Sequence, residues 1–211
     1  MPTNQNSYRY LYVVVCFLFV WSLPFAASAD SFDQLRKNSA TIKTIKARFV
    51  QKKFMKILNK PLISEGFFYY VAPDSFRWEY LKPLRSAVIT YKGDTRRYIL
   101  SSGRMIEDKA SGMQAMKIVL GEVTGWMSGK FDQNQSFAAT LKEGTNTQIT
   151  LTPVGKSMSG MIEKIEITVS KKAAAVKSVK IIENANAFTQ IDFTDVEINK
   201  VISSSVFQDV Q

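Results

Sequence analysis

Between Gly66 and Tyr80 the chain spells out two strands back to back. Gly66-Phe-Phe-Tyr-Tyr-Val71 is an aromatic run of high strand propensity, Pro73-Asp74-Ser75 is a turn, and Phe76-Arg-Trp-Glu-Tyr80 alternates strictly. In a pleated strand that alternation puts Phe76, Trp78 and Tyr80 on one face and Arg77 and Glu79 on the other. Large aromatic groups occupy both faces of 66–71, whereas a two-layer sheet needs apolar groups on one face only. Two arrangements satisfy this. Either one face packs under other elements while the second lines a further apolar space, or the strand is plain core covered on both sides. Spacing leaves open which of the pairs Phe67/Tyr69 and Phe68/Tyr70 faces such a space.

Short strands punctuated by turns continue in both directions. Residues 43–57 carry Ile45, Ala47, Phe49 and Phe54, and Asn59-Lys60-Pro61 is a turn before 62–72. Ala87–Tyr91 and Arg97–Leu100 flank the tight Lys92-Gly93-Asp94 connection. Strands are read again at 135–142, 147–153, 161–169, 175–183 and 187–198, the last with a bulge near Thr194, and Val206-Phe207 is expected to close a sheet edge. Ser31-Phe-Asp-Gln34 has the spacing of a capping box and predicts a short helix over 31–39. In 112–128, Met113, Met116, Val119 and Leu120 follow helical spacing, and Trp126 and Met127 extend the apolar content. Two helices, 112–120 and 122–128, are expected there. No repeat or linker divides the chain. The expected class is mainly β with short helices (α+β), in one domain.

The N-terminus reads differently. Arg9 is the only charge before an apolar run from Leu11 to Trp21, and Ala27-Ser28-Ala29 is an A-x-A cleavage site. The run is short for a membrane span and suits a signal peptide over 1–29, cleaved after Ala29, leaving 30–211 as the exported domain. The only cysteine, Cys16, lies inside that run and follows Val15, so a lipid anchor at a lipoprotein-type site is not expected.

Composition removes most catalytic chemistry. The chain has no histidine, which excludes Ser-His-Asp triads, Cys-His pairs and His-containing metal sites. With Cys16 removed, thiolate chemistry goes too. The acids Glu65, Glu79, Asp94, Glu107 and Asp108 show no converging pair, and no phosphate-binding glycine loop occurs. No catalytic residue, metal or cofactor is expected, and the chain is read as a non-enzyme. Formal net charge is +10, with lysines spread along the chain. Export argues against nucleic acid as the partner and leaves a basic soluble surface or attraction to anionic membranes.

With these residues in view, Ile45-Lys-Ala-Arg-Phe-Val-Gln51, Glu65-Gly-Phe67, Tyr70-Val-Ala-Pro-Asp-Ser-Phe-Arg-Trp-Glu-Tyr80 and Pro83 resemble, in order and spacing, the LolA family of periplasmic outer-membrane lipoprotein carriers. Lys92-Gly93-Asp94 fits that family's next turn, and Phe193–Asn199 followed by Phe207 resembles its closing strand. The resemblance covers nearly all of the chain after the signal.

It implies a curved, incomplete antiparallel β-barrel with a helical lid over an apolar cavity. The expected cavity residues are Phe49, Phe67, Tyr69, Phe76, Trp78 and Tyr80, and the expected lid residues are Met113, Met116, Val119, Leu120, Trp126 and Met127. The implied function is a monomeric periplasmic chaperone that shields lipoprotein acyl chains between an inner-membrane transporter and an outer-membrane receptor, touching the membrane surface transiently. Alternatives on the same fold are a carrier for another envelope lipid or glycolipid serving a dedicated exporter, and a lipid-sensing regulatory protein. One departure stands out. Where the family places an arginine that ties down the lid backbone, before the motif proline, this chain has Ala72, with Arg77 or Arg48 as candidate replacements.

Overall fold

The alternating segments become eleven strands of a single antiparallel sheet in a computed structural model, which describes residues 27–108, 122–123, 125–127, 129–133, 135–155, 160–171, 175–208 and 210. Helix α1 (Ala27–Ser39) precedes β1 (Thr44–Met55), β2 (Leu62–Val71), β3 (Ser75–Lys82), β4 (Ser86–Tyr91), β5 (Asp94–Ser101) and β6 (Arg104–Glu107). After the middle segment come β7 (Phe137–Lys142), β8 (Thr147–Pro153), β9 (Lys164–Val169), β10 (Val176–Asn184) and β11 (Ala187–Ile198), then a 3-10 turn, Ser204–Phe207. The spatial order is β6-β5-β4-β3-β2-β1-β11-β10-β9-β8-β7. Among the described residues, two meanders are therefore joined only where β1 pairs with β11, and β6 and β7 are the edges. The sheet curves without closing.

Local chemistry explains the turns. Lys92-Gly93 and Ser102-Gly103 have positive φ at both residues (53° and 80°, 49° and 78°), the two-residue hairpin geometry that matches strand twist. Strand β6 was not foreseen, because its four residues carry too few alternations to register. The bulge expected near Thr194 is present: β1–β11 pairing shifts between Lys46 and Arg48, and Asp195 opposite them has φ 51°. Helix α1 starts earlier than read, running back through Ala27-Ser28-Ala29. Alanine favours helix, and Ser31, now inside the helix, bonds Glu143 (2.7 Å).

Both faces of the central strands are covered. The concave face carries Phe49, Phe68, Tyr70 and Phe76 in a core closed at one end by Phe32 and Leu35 of α1. The convex face of β3 and β4 carries a smaller cluster of Ala87, Ile89 and Phe207, with Tyr69 and Tyr91 packed against it. Phe207 stacks on Tyr91 (5.8 Å, 7°), so Val206-Phe207 covers the middle of a face and does not close an edge. Beneath this cover lie Arg77 and Glu79, only 6% and 7% exposed. Arg77 donates from Nε to Glu79 Oε2 (3.0 Å) and from Nη1 to the Val206 carbonyl (2.8 Å), while Arg85 reaches Glu79 Oε1 (3.3 Å). A buried ion pair of this kind contributes little net stability, but removing one partner is costly.

Gly66 sits opposite Phe49, and a Cβ there would stand 1.8 Å from the Glu79 carbonyl oxygen and 2.9 Å from Phe49 Cζ. The first neighbour is backbone and cannot step aside. We expect Gly66→Ala to destabilise by at least about 3 kcal/mol, measured by urea unfolding. Arg77→Met should cost about 3 kcal/mol, the low end for an orphaned buried carboxylate because Arg85 still faces it. The double variant Arg77→Met/Glu79→Met should recover much of that loss in the same assay.

Candidate functional site

The concave face is filled at the α1 end and empty toward the other. A cavity of about 390 Å3 opens there, within the range of roughly 300–1,000 Å3 usual for small-molecule sites. Trp78 and Tyr80 of β3 and Val88 of β4 form one wall. Ile191 and Phe193 of β11, Val179 and Ile181 of β10, and Ile165 of β9 form the other. Glu122, Val123, Trp126 and Met127, from a helical segment after the β6 strand, roof it. Gly129, at φ 76°, turns the chain out of that segment, and its N–H bonds the Trp126 carbonyl (3.0 Å). The turn lies against Ser39 and Arg36 of α1, and Arg36 reaches Asp132 (2.6 Å). The roof is thereby seated on the first helix.

Each expected cavity residue has a definite place. Trp78 and Tyr80 line the cavity. Phe49 lies under them at 1% exposure, its ring 5.0 Å from Trp78 and 5.2 Å from Tyr80, a support rather than a wall. Phe76 shares their face but is buried in the core nearer α1. Phe67 and Tyr69 must be corrected: they are on the convex face, with Tyr69 against the Phe207 cluster. The reason is Gly66. Phe49 lies across it on the concave side, and strand parity then sends Phe68 and Tyr70 inward and Phe67 and Tyr69 outward. Among the expected lid residues, Trp126 and Met127 are buried in the roof. Met113, Met116, Val119 and Leu120 lie outside the described residues.

The walls from β9, β10 and β11 were missed. Their alternation was legible, as in Ile165, Ile167 and Val169, but a lone strand does not reveal which parity is concave. Both candidates for the missing arginine lie on the convex face, away from the described part of the roof. Arg77 points to the convex side, and Arg48 is exposed and faces Asp195 at 3.9 Å. The described part of the roof is held by packing of Val123, Trp126, Met127 and Phe131 in the main core.

Polar groups gather at the rim. Tyr80 donates its hydroxyl proton to Gln51 Oε1 (2.9 Å), and burial pushes its phenol upward. Lys53 holds Glu183 at 2.7 Å, and Thr189 donates to the same carboxylate (3.2 Å). The Trp126 indole N–H is buried without a hydrogen-bond partner among the described residues. Glu122, half-buried, is raised from its ordinary 4.5 by desolvation. Among the described residues no group of three or more His, Cys, Asp or Glu side chains is placed to hold a metal. The arrangement is suited to holding hydrocarbon away from water, worth about 0.8 kcal/mol per buried CH2.

Because the Glu122 carboxyl is raised in the folded state, its contribution to stability is present below pH 4.5 and is lost as pH rises through its folded value. Glu122→Gln should therefore melt slightly higher than wild type at pH 7, by a few tenths of a kcal/mol given its contact with water. The difference should vanish below pH 4.5 in a calorimetric pH series.

Comparison with known proteins gives consistent results. A family model described as "Outer membrane lipoprotein carrier protein LolA" matches residues 40–209. An outer-membrane lipoprotein carrier protein of Francisella tularensis is 24% identical over 202 residues, covering 92% of this chain and 90% of the relative. One from Pseudoalteromonas translucida is 22% identical over 180 residues, 85% of this chain and 83% of that one. Among solved structures, an uncharacterized conserved protein from Thermus thermophilus superposes with a TM-score of 0.53 at 10% identity, covering 86% of this chain and 93% of the other.

Proposed function

The chain belongs to the LolA family of outer-membrane lipoprotein carriers, and from this premise we propose that it is a periplasmic chaperone for acylated lipoproteins. In this reading residues 1–29 export the chain and are removed. The cavity takes acyl chains from an inner-membrane transporter and yields them to an outer-membrane receptor. The observation that carries the proposal is the cavity itself: apolar walls from six strands (β3, β4, β7, β9, β10 and β11), a helical roof, and few polar groups in the lining. An acyl chain entering it is shielded, and its polar head meets Gln51, Lys53 and Thr189 at the mouth.

The roof fits the same role. A carrier must release what it binds, so the lid has to open at modest cost. Contacts of Trp126 and Met127 with the walls are apolar and are replaced by equivalent contacts with a hydrocarbon chain. The Trp126 N–H, which has no partner among the described residues, adds a donor that an ester or amide carbonyl of the cargo can meet once the roof moves.

Mass spectrometry of protein purified gently from its own envelope tests the reading. The expected result is a mature chain beginning at Asp30 and carrying acylated polypeptide. Bound free lipid would replace lipoprotein by another envelope lipid as the cargo, and a catalytic product would remove the carrier role. Ile181→Asp places a charge in the cavity wall at a position that is only half-buried. We expect it to lower cargo occupancy at least ~10-fold while the protein still melts cooperatively. Unchanged occupancy would mean that the cargo lies elsewhere.

A further inference from the structure

Antiparallel topology sorts the connections between two ends of the sheet. The β1–β2, β3–β4, β5–β6, β8–β9 and β10–β11 connections share one end, and α1 covers the concavity at the other. The cavity is nearer the first end: its lining residues Gln51 and Lys53 are late in β1, Thr189 is early in β11, and Tyr80 is late in β3. This is the mouth.

The mouth end also carries most of the large apolar groups left in water among the described residues. Ile57 is 88% exposed at the β1–β2 tip, with Leu58 beside it, and Leu84 is 79% exposed at the β3–β4 tip. Val154 and Met161, in the β8–β9 connection, are exposed as well. Charge follows the same pattern. From Lys52 to Ser64 the chain contains four lysines and no acid. Lys56 and Lys60 flank the Ile57-Leu58 tip, are exposed, and have no ion-pair partner among the described residues. Lys82 adds a further exposed cation beside Leu84, with Glu65 across the ladder from it.

We propose that this end is a membrane-docking face, with the β1–β2 tip inserting Ile57 and Leu58 into the surface of an anionic phospholipid leaflet. The inference rests on the lipid-carrier reading. The chemistry fits a bilayer better than a folded partner. The apolar groups stand on separate hairpin tips, without a shared flat surface that another protein would match. A leaflet instead receives isolated apolar tips, while lysines between them meet its phosphates. Because the cavity mouth lies at the same end, a docked protein presents its rim to the leaflet, and an acyl chain crosses with little exposure to water.

The test is flotation of the mature protein with vesicles of phosphatidylethanolamine and phosphatidylglycerol, against vesicles of phosphatidylcholine alone. The wild type should bind the anionic vesicles preferentially, and binding should weaken with salt. Lys56→Gln/Lys60→Gln should lower partitioning about 25-fold, roughly fivefold per lysine. Ile57→Ser/Leu58→Ser/Leu84→Ser should lower it at least ~10-fold on either vesicle. All these side chains are exposed, so melting temperature and cavity occupancy by the apolar dye N-phenyl-1-naphthylamine should not change. Wild-type protein that ignores both vesicles, or tip variants that bind like wild type, would overturn the docking face. A protein that docks through its tips but takes up no dye or lipid would leave docking standing and remove the carrier reading instead.

Discussion

The pairing of the first strand with the last holds the architecture together. β1 and β11 run antiparallel from Met55–Ala187 to Ile45–Ile198, and among the described residues no other ladder connects the N-terminal meander to the C-terminal one. Each meander is built from hairpins that form locally. The β1–β11 ladder must instead be closed across the whole domain, at a loop-closure cost that rises only slowly with length. Its bulge at Asp195 adds twist where the two halves meet. Strands on both flanks of that seam contribute cavity wall: Trp78 and Tyr80 from one side, Val179 and Ile181 from the other. Without the seam there would be two hairpin stacks and no enclosed space.

On the N-terminal side of this seam the sheet is structured on both faces, and each face has its own task. The convex side of β3 is locked by the C-terminal segment, through the Arg77–Glu79 pair, the Arg77 bond to the Val206 carbonyl, and Phe207 on Tyr91. The concave side carries an aromatic set in tilted and edge contacts, Phe49 and Phe68 against Trp78 and Phe49 against Tyr80. Backing one face rigidly allows the opposite face to remain partly empty. A cavity forfeits dispersion contacts along its lining, and on this side the strands that form its wall are held from outside by the C-terminal segment.

The described part of the roof is held to the rest of the molecule mainly by apolar packing. Ala72 offers no donor side chain, and the two candidate arginines are engaged elsewhere. Packing of Trp126, Met127 and Phe131, together with the Gly129 turn on α1, supplies the attachment seen here. Apolar attachment is non-directional, so contacts of this kind are exchangeable for other apolar contacts at modest cost.

The sequence by itself determined every strand except β6, most strand limits, the bulge near Thr194, the helical character around Trp126, and the family. These are properties of short-range alternation, turn chemistry and motif order, which a linear chain displays directly. Phe76, Trp78 and Tyr80 were legible as one face for the same reason. What only the tertiary structure decided was which face is concave. Phe67 and Tyr69 alternate with Phe68 and Tyr70 identically in either orientation, and the choice is made by Phe49 lying across Gly66 on a neighbouring strand. Likewise, Val179, Ile181 and Ile191 become cavity wall only when β11 pairs with β1 and the C-terminal meander curves toward β3. Periodicity fixes the parity of a strand, but its sign is set by contacts between residues far apart in the chain.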